Sequence, residues 1–174
     1  MKTFSEFPLT PVLQGNLARN GFVEPTPVQA EALPAALAGK DVVATAQTGT
    51  GKTLAFVLPL LERLSKQPVS IGVSALVLTP TRELAIQIHE VFTKLASGTG
   101  IRAAVVVGGL SEQTQLNAVR KGAQVIIATP GRLSDFLNRK LVKLSGVRVL
   151  VLDEADRMLD MGFLPTIQAI MGLL

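Results

Sequence analysis

The sequence contains no cysteine, no tryptophan and no tyrosine, and it has one histidine and seven phenylalanines in 174 residues. Without cysteine the chain can form neither disulfides nor thiolate metal sites, which fits a reducing compartment, and we expect a cytoplasmic protein. With so few aromatic side chains, a surface on which nucleic-acid bases stack is not expected. No apolar run approaches the roughly 18 residues that a membrane span needs, and the N-terminus has no apolar signal core.

The composition predicts one folded domain. Hydrophobic residues make up 48% of the chain and charged residues 17%, with a mean hydropathy of +0.41, so a sizeable core is available and disorder is not expected. Lysine and arginine outnumber aspartate and glutamate by 17 to 13, which gives a formal net charge of +4. This excess favours a polyanionic partner only weakly, since many basic proteins bind none.

Short apolar runs alternate with helical patterns along most of the chain. The runs are the length of strands that are covered on both faces, and the alternation predicts a parallel, doubly wound α/β sheet. Ligands of such sheets bind at the carboxyl ends of the strands, so we expect the residues after each run to share one rim. The predicted strands are residues 41–46, 75–79, 102–107, 124–128 and 147–152, and the predicted helices are residues 10–20, 27–38, 54–64, 82–95, 111–121 and 133–139.

A glycine-bearing loop follows the first predicted strand and precedes a helical pattern. This arrangement is typical of loops that hold nucleotide phosphates, because backbone N–H groups can turn towards phosphate oxygens. Lys52 can reach the β- and γ-phosphates, and the Thr53 hydroxyl can ligate Mg²⁺. An ordinary strand-to-helix turn is the alternative. The candidate residues are Ala46, Gln47, Thr48, Gly49, Thr50, Gly51, Lys52 and Thr53.

A second candidate element is acidic and follows the last predicted strand. Asp153 and Glu154 come directly after an apolar run, as in Walker-type nucleotidases. The Asp153 carboxylate can hold Mg²⁺ through water, and Glu154 can polarise the attacking water. A solvated acidic turn is the alternative.

Together these motifs resemble the DEAD-box ATP-dependent RNA helicases of the bacterial type. The likeness runs from Phe4 to the end of the chain and depends on short motifs in the family's order, in which the nucleotide loop begins with alanine. The resemblance implies a RecA-like P-loop NTPase fold, a three-layer sandwich with a mostly parallel sheet. The motifs are Gly21-Phe22, Pro25-Thr26-Pro27-Val28-Gln29, residues 46–53, Pro80-Thr81-Arg82-Glu83-Leu84-Ala85, Gly108-Gly109, Thr129-Pro130-Gly131-Arg132 and Asp153-Glu154-Ala155-Asp156.

The resemblance implies further nucleotide contacts in the first forty residues. Gln29 would read the adenine edge with its side-chain amide, which can both donate and accept. Phe22 would lie against the base, and Phe4 matches the family's isolated upstream aromatic residue; ordinary core packing is the alternative for both. Thr26 would support Gln29, although it also suits a helix N-cap.

The resemblance also implies an RNA-binding face that contacts the sugar–phosphate backbone without reading sequence. Two of its segments begin predicted helices, where a backbone N–H and a guanidinium can share one phosphate. Helix capping with a surface arginine is the alternative. The implied RNA contacts are Pro80, Thr81, Arg82, Gly108, Gly109, Thr129, Pro130, Gly131 and Arg132, and Asp156 would couple hydrolysis to RNA binding.

The family has two RecA-like domains, and residues 1–174 match the first, with residues 1–40 as its Q-motif segment. The Ser-Ala-Thr motif, its strand and the second domain with its arginine fingers do not occur in this sequence. We therefore expect nucleotide binding, poor hydrolysis and no unwinding by this chain alone. In RecA-like sheets the Ser-Ala-Thr strand lies between residues 41–46 and 147–152, so we expect strand exchange with a second copy, or closure of the two neighbours. An ATP-gated RNA clamp and an ATPase acting on DNA are alternative functions.

Overall fold

The structure is a computed structural model that describes residues 2–47, 49–68 and 71–174. Within these residues a 3₁₀ turn at Phe4–Glu6 is followed by α1 (Pro11–Arg19), α2 (Pro27–Leu37) and α3 (Lys52–Lys66). Strands and helices then alternate: β1 (Ala75–Leu78), α4 (Arg82–Ala96), β2 (Ala103–Val106), α5 (Glu112–Arg120), β3 (Val125–Ala128), α6 (Pro130–Asn138) and β4 (Val149–Leu152). Two further helices, α7 (Ala155–Asp160) and α8 (Leu164–Met171), follow β4 and were not predicted from the sequence.

The four strands form one all-parallel sheet in the order β2-β3-β1-β4. Ala75 at the start of β1 lies opposite Val125 and Val149, and Leu78 at its end lies opposite Ala128 and Leu152. The inner strands β1 and β3 are buried at every position, whereas β4 is only half-buried. Continuous apolar runs therefore become inner strands, as expected for a sheet covered on both faces. The predicted α/β fold with a parallel sheet is confirmed.

The predicted strand at residues 41–46 is wrong. The segment has no regular secondary structure, and Val43 is 95% exposed. Among the described residues β4 has only β1 as a sheet neighbour. A strand needs a ladder partner for its N–H and C=O groups, and an apolar run with no such partner stays extended and solvated. Residues 41–46 therefore do not pair with β4 as a strand of the sheet, and the expected closure is wrong.

The chain divides into two compact units. The first contains the described residues up to Pro68 together with Val91–Ile101. Its core is built from the apolar faces of α1, α2 and α3, and polar groups tie the helices together. Asn16 Nδ2, for example, donates to the carbonyl oxygens of Leu95 (2.8 Å) and Ser97 (2.7 Å), which satisfies acceptors that a helix end leaves without partners. Buried apolar side chains of this unit include Leu13, Leu17, Leu33, Leu58 and Leu61.

The second unit contains residues 71–90 and Arg102–Leu174, and with them the whole sheet. Its core lies between the strands and the helices that follow them. Phe136 of α6 and Met158 of α7 are completely buried there, and Ile167 and Ile170 anchor α8. No helix in the described part of the chain is both long and apolar enough to cross a membrane.

Candidate functional site

The glycine-bearing loop leads directly into α3. Gly49 (φ +84°) and Gly51 (φ +85°) both occupy the left-handed region, which side chains disfavour. The Thr50 hydroxyl donates to the carbonyl oxygen of Gln47 (2.6 Å), and α3 begins at Lys52, with Thr53 in its first turn. Helix N-termini leave N–H groups without intrahelical partners, so this turn can accept an anion. Thr48 lies outside the described residues.

Lys52 has an internal partner in this loop. Its Nζ atom donates to the carbonyl oxygen of Ala46 at 2.7 Å. The ammonium therefore spans the loop from the first turn of α3 to the loop's first residue. The ammonium has three N–H donors, so two remain for a nucleotide phosphate beside this hydrogen bond.

Gln29 joins α2 to the loop. It is 2% exposed, its Oε1 accepts from the backbone N–H of Thr26 (2.9 Å), and its Nε2 donates to the carbonyl oxygen of Gly51 (2.9 Å). The first bond is the capping-box bond from the third helical residue back to the N-cap. The side chain thus holds the start of α2 and the loop in one geometry, and one amide hydrogen and one oxygen lone pair are left.

The two phenylalanines expected near the base have different surroundings. Phe4 is 2% exposed, and its ring packs 6.3 Å from the ring of Phe7 in a tilted arrangement. Its backbone N–H donates to the carbonyl oxygen of Val23 (2.9 Å). Phe22 is half-buried. The structure thus places Phe4 in the core beside Phe7, and its contact with the nucleotide stays a prediction.

The acidic element follows β4 in the second unit. The Asp153 N–H donates to the carbonyl oxygen of Leu78 (2.8 Å), which extends the β1–β4 ladder by one bond. The Thr79 hydroxyl donates to Asp153 Oδ2 (3.1 Å) and is itself completely buried. Thr79 was not among the predicted site residues. Its hydroxyl orients the Asp153 carboxylate, whereas the sequence pattern shows only that an acidic residue is present.

Glu154 caps α7 from an unusual conformation. Its φ of +51° lies in the left-handed region, and its carboxylate pairs with Arg157 at 3.3 Å. Asp156 lies in the first turn of α7 and is exposed. Among the described residues no group of three or more acidic or histidine side chains could hold a metal by itself.

The strand order brings four of the predicted segments to one edge of the sheet, since parallel strands end together. After β1, Thr81 Oγ1 accepts from the Leu84 N–H (3.2 Å) and caps α4. Arg82 Nε donates to Glu83 (3.1 Å), and a methyl group at Gly109 would collide with the Arg82 guanidinium. A hydrogen bond from its own backbone and a second from Arg82 lower the pKa of Glu83. The remaining segments here are Gly108-Gly109, Thr129-Pro130-Gly131-Arg132 and Asp153-Glu154-Ala155-Asp156.

Arg132 depends on a residue that the sequence did not reveal. Gln115 on α5 is 5% exposed; its Nε2 donates to the Val107 carbonyl oxygen (2.9 Å), and its Oε1 accepts from the Val107 N–H (3.3 Å). The same Oε1 accepts from Arg132 Nη1 (3.3 Å), which also donates to the Leu110 carbonyl oxygen (3.3 Å). The guanidinium carbon lies 5.5 Å from the centre of the Phe136 ring, a cation–π distance. Gln115 thus connects the end of β2 to Arg132.

Comparison with known proteins decides the family. The family model described as "DEAD/DEAH box helicase" matches residues 26–174. The chain belongs to this family. Proteins named DEAD-box ATP-dependent RNA helicase CshA, from two strains of Streptococcus pneumoniae, are each 46% identical to it over 169 residues, which is 97% of this chain and 32% of the relative. The DEAD/DEAH box helicase chain described here therefore spans about a third of the length of these relatives.

A solved structure agrees with this assignment. The crystal structure of a DEAD box protein from the hyperthermophile Methanococcus jannaschii superposes on this DEAD/DEAH box helicase chain with a TM-score of 0.90 at 36% identity. The superposition covers 98% of this chain and 46% of the other. The RecA-like α/β fold expected from the resemblance is therefore confirmed.

Two residues of this DEAD/DEAH box helicase chain, Thr79 and Gln115, were missed for the same reason. Each is a neutral polar residue in an otherwise apolar or helical pattern, and nothing in its sequence neighbourhood marks it. Thr79 ends an apolar run, and Gln115 is one of three glutamine or asparagine residues in α5 that a pattern cannot tell apart. Only near-complete burial distinguishes them, because buried polar groups need partners.

Proposed function

We propose that this chain is the ATP- and RNA-binding part of an ATP-dependent RNA helicase. The observation that carries the proposal is the loop of Gly49 and Gly51, left-handed at both glycines, which leads into α3 at Lys52 and is held by Gln29. Such a loop suits nucleotide phosphates. The Streptococcus relatives are named ATP-dependent RNA helicases, which supports ATP as the nucleotide and RNA as the nucleic acid.

The nucleotide roles are assigned residue by residue. Lys52 would direct its two remaining N–H donors to the β- and γ-phosphates, and the Thr53 hydroxyl would be a ligand of Mg²⁺. Gln29 offers its remaining amide hydrogen and lone pair to adenine, and Phe22 contacts the base. The other loop residues supply backbone N–H groups: Ala46, Gln47, Thr48, Gly49, Thr50 and Gly51.

The acidic element supplies metal and water contacts. Asp153, oriented by Thr79, would hold Mg²⁺ through water, and the metal would supply positive charge against the phosphates. Glu154 polarises the attacking water once its carboxylate leaves Arg157. Asp156 is exposed at the start of α7 and couples hydrolysis to RNA binding.

The carboxyl edge of the sheet is proposed as the RNA-binding face. Arg82 and Arg132 stand at the starts of α4 and α6, where a guanidinium and helix N–H groups can share a phosphate. These contacts reach phosphate and sugar, so binding is independent of sequence and strongly dependent on salt. The face also contains Pro80, Thr81, Gly108, Gly109, Thr129, Pro130 and Gly131.

For the 174 residues alone we propose nucleotide binding with poor hydrolysis and no unwinding, since the relatives that carry the helicase name are about three times as long. A second RecA-like domain is the proposed partner. Strand exchange between two copies through the outer edge of β4 is also a proposal, and light scattering over a range of concentrations tests it.

The deciding experiment is a calorimetric titration with ATP–Mg²⁺ of the wild type, Lys52→Ala and Arg63→Ala. Arg63 is an exposed cation on the same helix and serves as the matched control. We expect Lys52→Ala to weaken binding by tenfold or more, about 1.4 kcal/mol or more, and Arg63→Ala to bind like the wild type. Equal affinities in all three proteins would refute the nucleotide site. The alternative function is an ATP-gated RNA clamp. A protein of the relatives' full length that acts as a clamp would hold RNA in the presence of ATP but would not separate a duplex.

A further inference from the structure

Six basic side chains lie at the amino end of the sheet, opposite the proposed site. Arg102 directly precedes β2, and Arg148 directly precedes β4. Helices α5 and α6 start from the carboxyl ends of β2 and β3 and must return to the amino end to reach the next parallel strand. The residues after these helices therefore lie there too. The six, which we call the amino-end cations, are Arg102, Arg120, Lys121, Lys140, Lys143 and Arg148.

Backbone hydrogen bonds place the strand starts in one row. The Arg102 carbonyl oxygen accepts from the Gln124 N–H (3.0 Å), and the Gln124 carbonyl oxygen accepts from the Ser74 N–H (2.7 Å). The Ser74 carbonyl oxygen in turn accepts from the Arg148 N–H (2.8 Å). Arg102 and Arg148 are thus three strand spacings apart, about 14 Å, on a continuous edge.

The amino-end cations are exposed and carry the chain's whole excess of positive charge. Without them the formal net charge would be −2 instead of +4. In the part of the chain that the structure describes, none of the six takes part in an ion pair. The sequence has no acidic residue at positions 91–111, 113–134 or 136–152. The two acids in between, Glu112 and Asp135, both pair with Arg139 (3.0 and 2.9 Å).

Lys140 occupies a position that would suit glycine better. Its φ is +57°, and the Leu141 N–H donates to the Phe136 carbonyl oxygen (2.9 Å), the bond that closes a helix through a left-handed residue. Glycine is the usual residue there because a side chain disfavours this conformation. A lysine kept at such a position is an outlier that points to a use for its side chain.

We propose that the amino-end cations form a second binding surface for the RNA backbone. The segments that carry them, all of which the structure describes, include no exposed large hydrophobic side chain and no exposed aromatic one. The neighbouring segment before β1 has one exposed apolar side chain, Ile71. A single isoleucine among six cations is unlike the apolar core of a protein interface, and segments without exposed aromatics cannot stack bases. Unpaired guanidinium and ammonium groups instead suit phosphates. The choice of RNA as the polyanion rests on the proposed function.

The test measures single-stranded RNA binding by fluorescence anisotropy at several salt concentrations, with a short and a long oligouridylate. The triple variant Lys140→Gly, Lys143→Gln, Arg148→Gln is compared with Lys2→Gln, Lys40→Gln, Arg63→Gln, which removes the same charge from exposed positions elsewhere. We expect the first variant to bind the long RNA at least tenfold more weakly. The slope of log affinity against log salt concentration should become shallower by about two, because each of its three lost phosphate contacts contributes about 0.7. The control variant should keep the salt dependence of the wild type. With the short RNA, the difference in affinity between the two triple variants should be smaller than with the long RNA.

Lys140→Gly alone separates binding from folding. Since glycine tolerates φ +57°, the variant should melt at a higher temperature than the wild type and yet bind long RNA more weakly. If wild type binds RNA, Arg132→Gln weakens it and the amino-end triple variant behaves like the control set, this inference is overturned and the proposed function stands. If wild type binds no RNA, both fail. If the triple variant loses binding to polyglutamate but not to RNA, the surface serves an acidic protein and the proposal is wrong.

Discussion

The carbonyl oxygen of Gly51 accepts a 2.9 Å hydrogen bond from Gln29 Nε2, and a methyl group at Gly51 would lie 2.5 Å from that same nitrogen. Gly49 has the same left-handed φ, but a methyl group there would meet no atom within 4 Å. At Gly51, the N-cap of α3, the methyl group would also lie 3.1 Å from Thr26 Oγ1, so the two glycines differ in their contacts with Gln29 and its capping partner.

We expect Gly51→Ala, and not Gly49→Ala, to abolish discrimination between ATP and GTP. Both variants place alanine at positive φ and should lose stability by about 1 kcal/mol. Only Gly51→Ala displaces Gln29. Thermal melts and calorimetric titrations with both nucleotides measure the two effects, and an equal loss of discrimination in the two variants would contradict this role of Gln29.

Gly109→Ala should weaken RNA binding through Arg82. The new methyl group would displace the flexible guanidinium and would put alanine at φ +79°, whereas Gly108 has no positive φ and a methyl group there would meet nothing within 4 Å. We expect a several-fold loss of affinity for single-stranded RNA in Gly109→Ala, and Gly108→Ala serves as its control in the same anisotropy measurement. If both variants lose affinity equally, the glycines act by letting the backbone approach RNA, not by making room for Arg82.

Gln115→Met should cost both stability and RNA affinity. It leaves the N–H and the carbonyl oxygen of Val107 without their side-chain partner, which costs about 1–3 kcal/mol for a buried group. It also frees Arg132 from its acceptor. Gln113→Met on the same helix is the control, since Gln113 is exposed and bonds only to Asn117 among the described residues. Chemical denaturation and RNA binding are measured together.

The Gln115 proposal is separable from simple destabilisation. In Arg132→Gln the Gln115 side chain has lost the guanidinium of Arg132 as its partner, so adding Gln115→Met should lower RNA affinity little further. Full additivity of the two losses in a double-mutant cycle would show that Gln115 does not act through Arg132.

Thr79→Val should weaken Mg²⁺-dependent nucleotide binding while nucleotide binding without Mg²⁺ stays unchanged. Valine keeps the shape of threonine but removes the hydroxyl that donates to Asp153. Thr79→Ser restores the donor and should recover the Mg²⁺ dependence. Calorimetry with and without Mg²⁺ measures this, and an identical Mg²⁺ response in Thr79→Val and wild type would exclude a positioning role.

The lowered pKa of Glu83 beside Arg82 predicts that the folding stability depends slightly on pH. The pKa of Glu83 is lowered in the folded chain, so its stabilising effect is present above the ordinary carboxyl pKa of 4.5 and is lost as the pH falls through the lowered value. Glu83→Gln should therefore be slightly less stable than wild type at neutral pH and indistinguishable from it in acid. Glu90→Gln, two turns further along α4, is the control. Because the pair is exposed, a large difference would contradict this interpretation.

Apolar runs predicted the fold well wherever the chain also supplied ladder partners. The runs that became β1 to β4 were placed within one or two residues, and the helix starts at Pro11 and Pro27 follow the N-cap and proline signals of Thr10-Pro11 and Thr26-Pro27. Helix α6 begins at Pro130, three residues before its predicted start. Residues 41–46 had an equally apolar pattern but no neighbouring strand, and a pattern carries no information about its partner.

The candidate site also contains residues that a local pattern predicts and residues that only the folded arrangement reveals. Residues in short motifs, such as Lys52 and Asp153, could be proposed from spacing because the chemistry expected of them requires a fixed local geometry. Gln29 was assigned to adenine, but the structure shows that it also caps α2 and holds Gly51. Thr79 and Gln115 act across 74 and 8 residues respectively, to Asp153 and Val107. Such contacts depend on the folded arrangement and have no local pattern.

The bond from Lys52 to the Ala46 carbonyl limits the directions in which the ammonium can point. It uses one of the three N–H donors on a neutral acceptor of the same chain, so two donors are left for a ligand. A single inorganic phosphate would meet these two donors and little else, whereas a nucleoside triphosphate would offer several charged oxygens to the lysine and the loop N–H groups at once. The lysine is therefore oriented in advance by its own chain, and a polyphosphate would gain more from that orientation than free phosphate would.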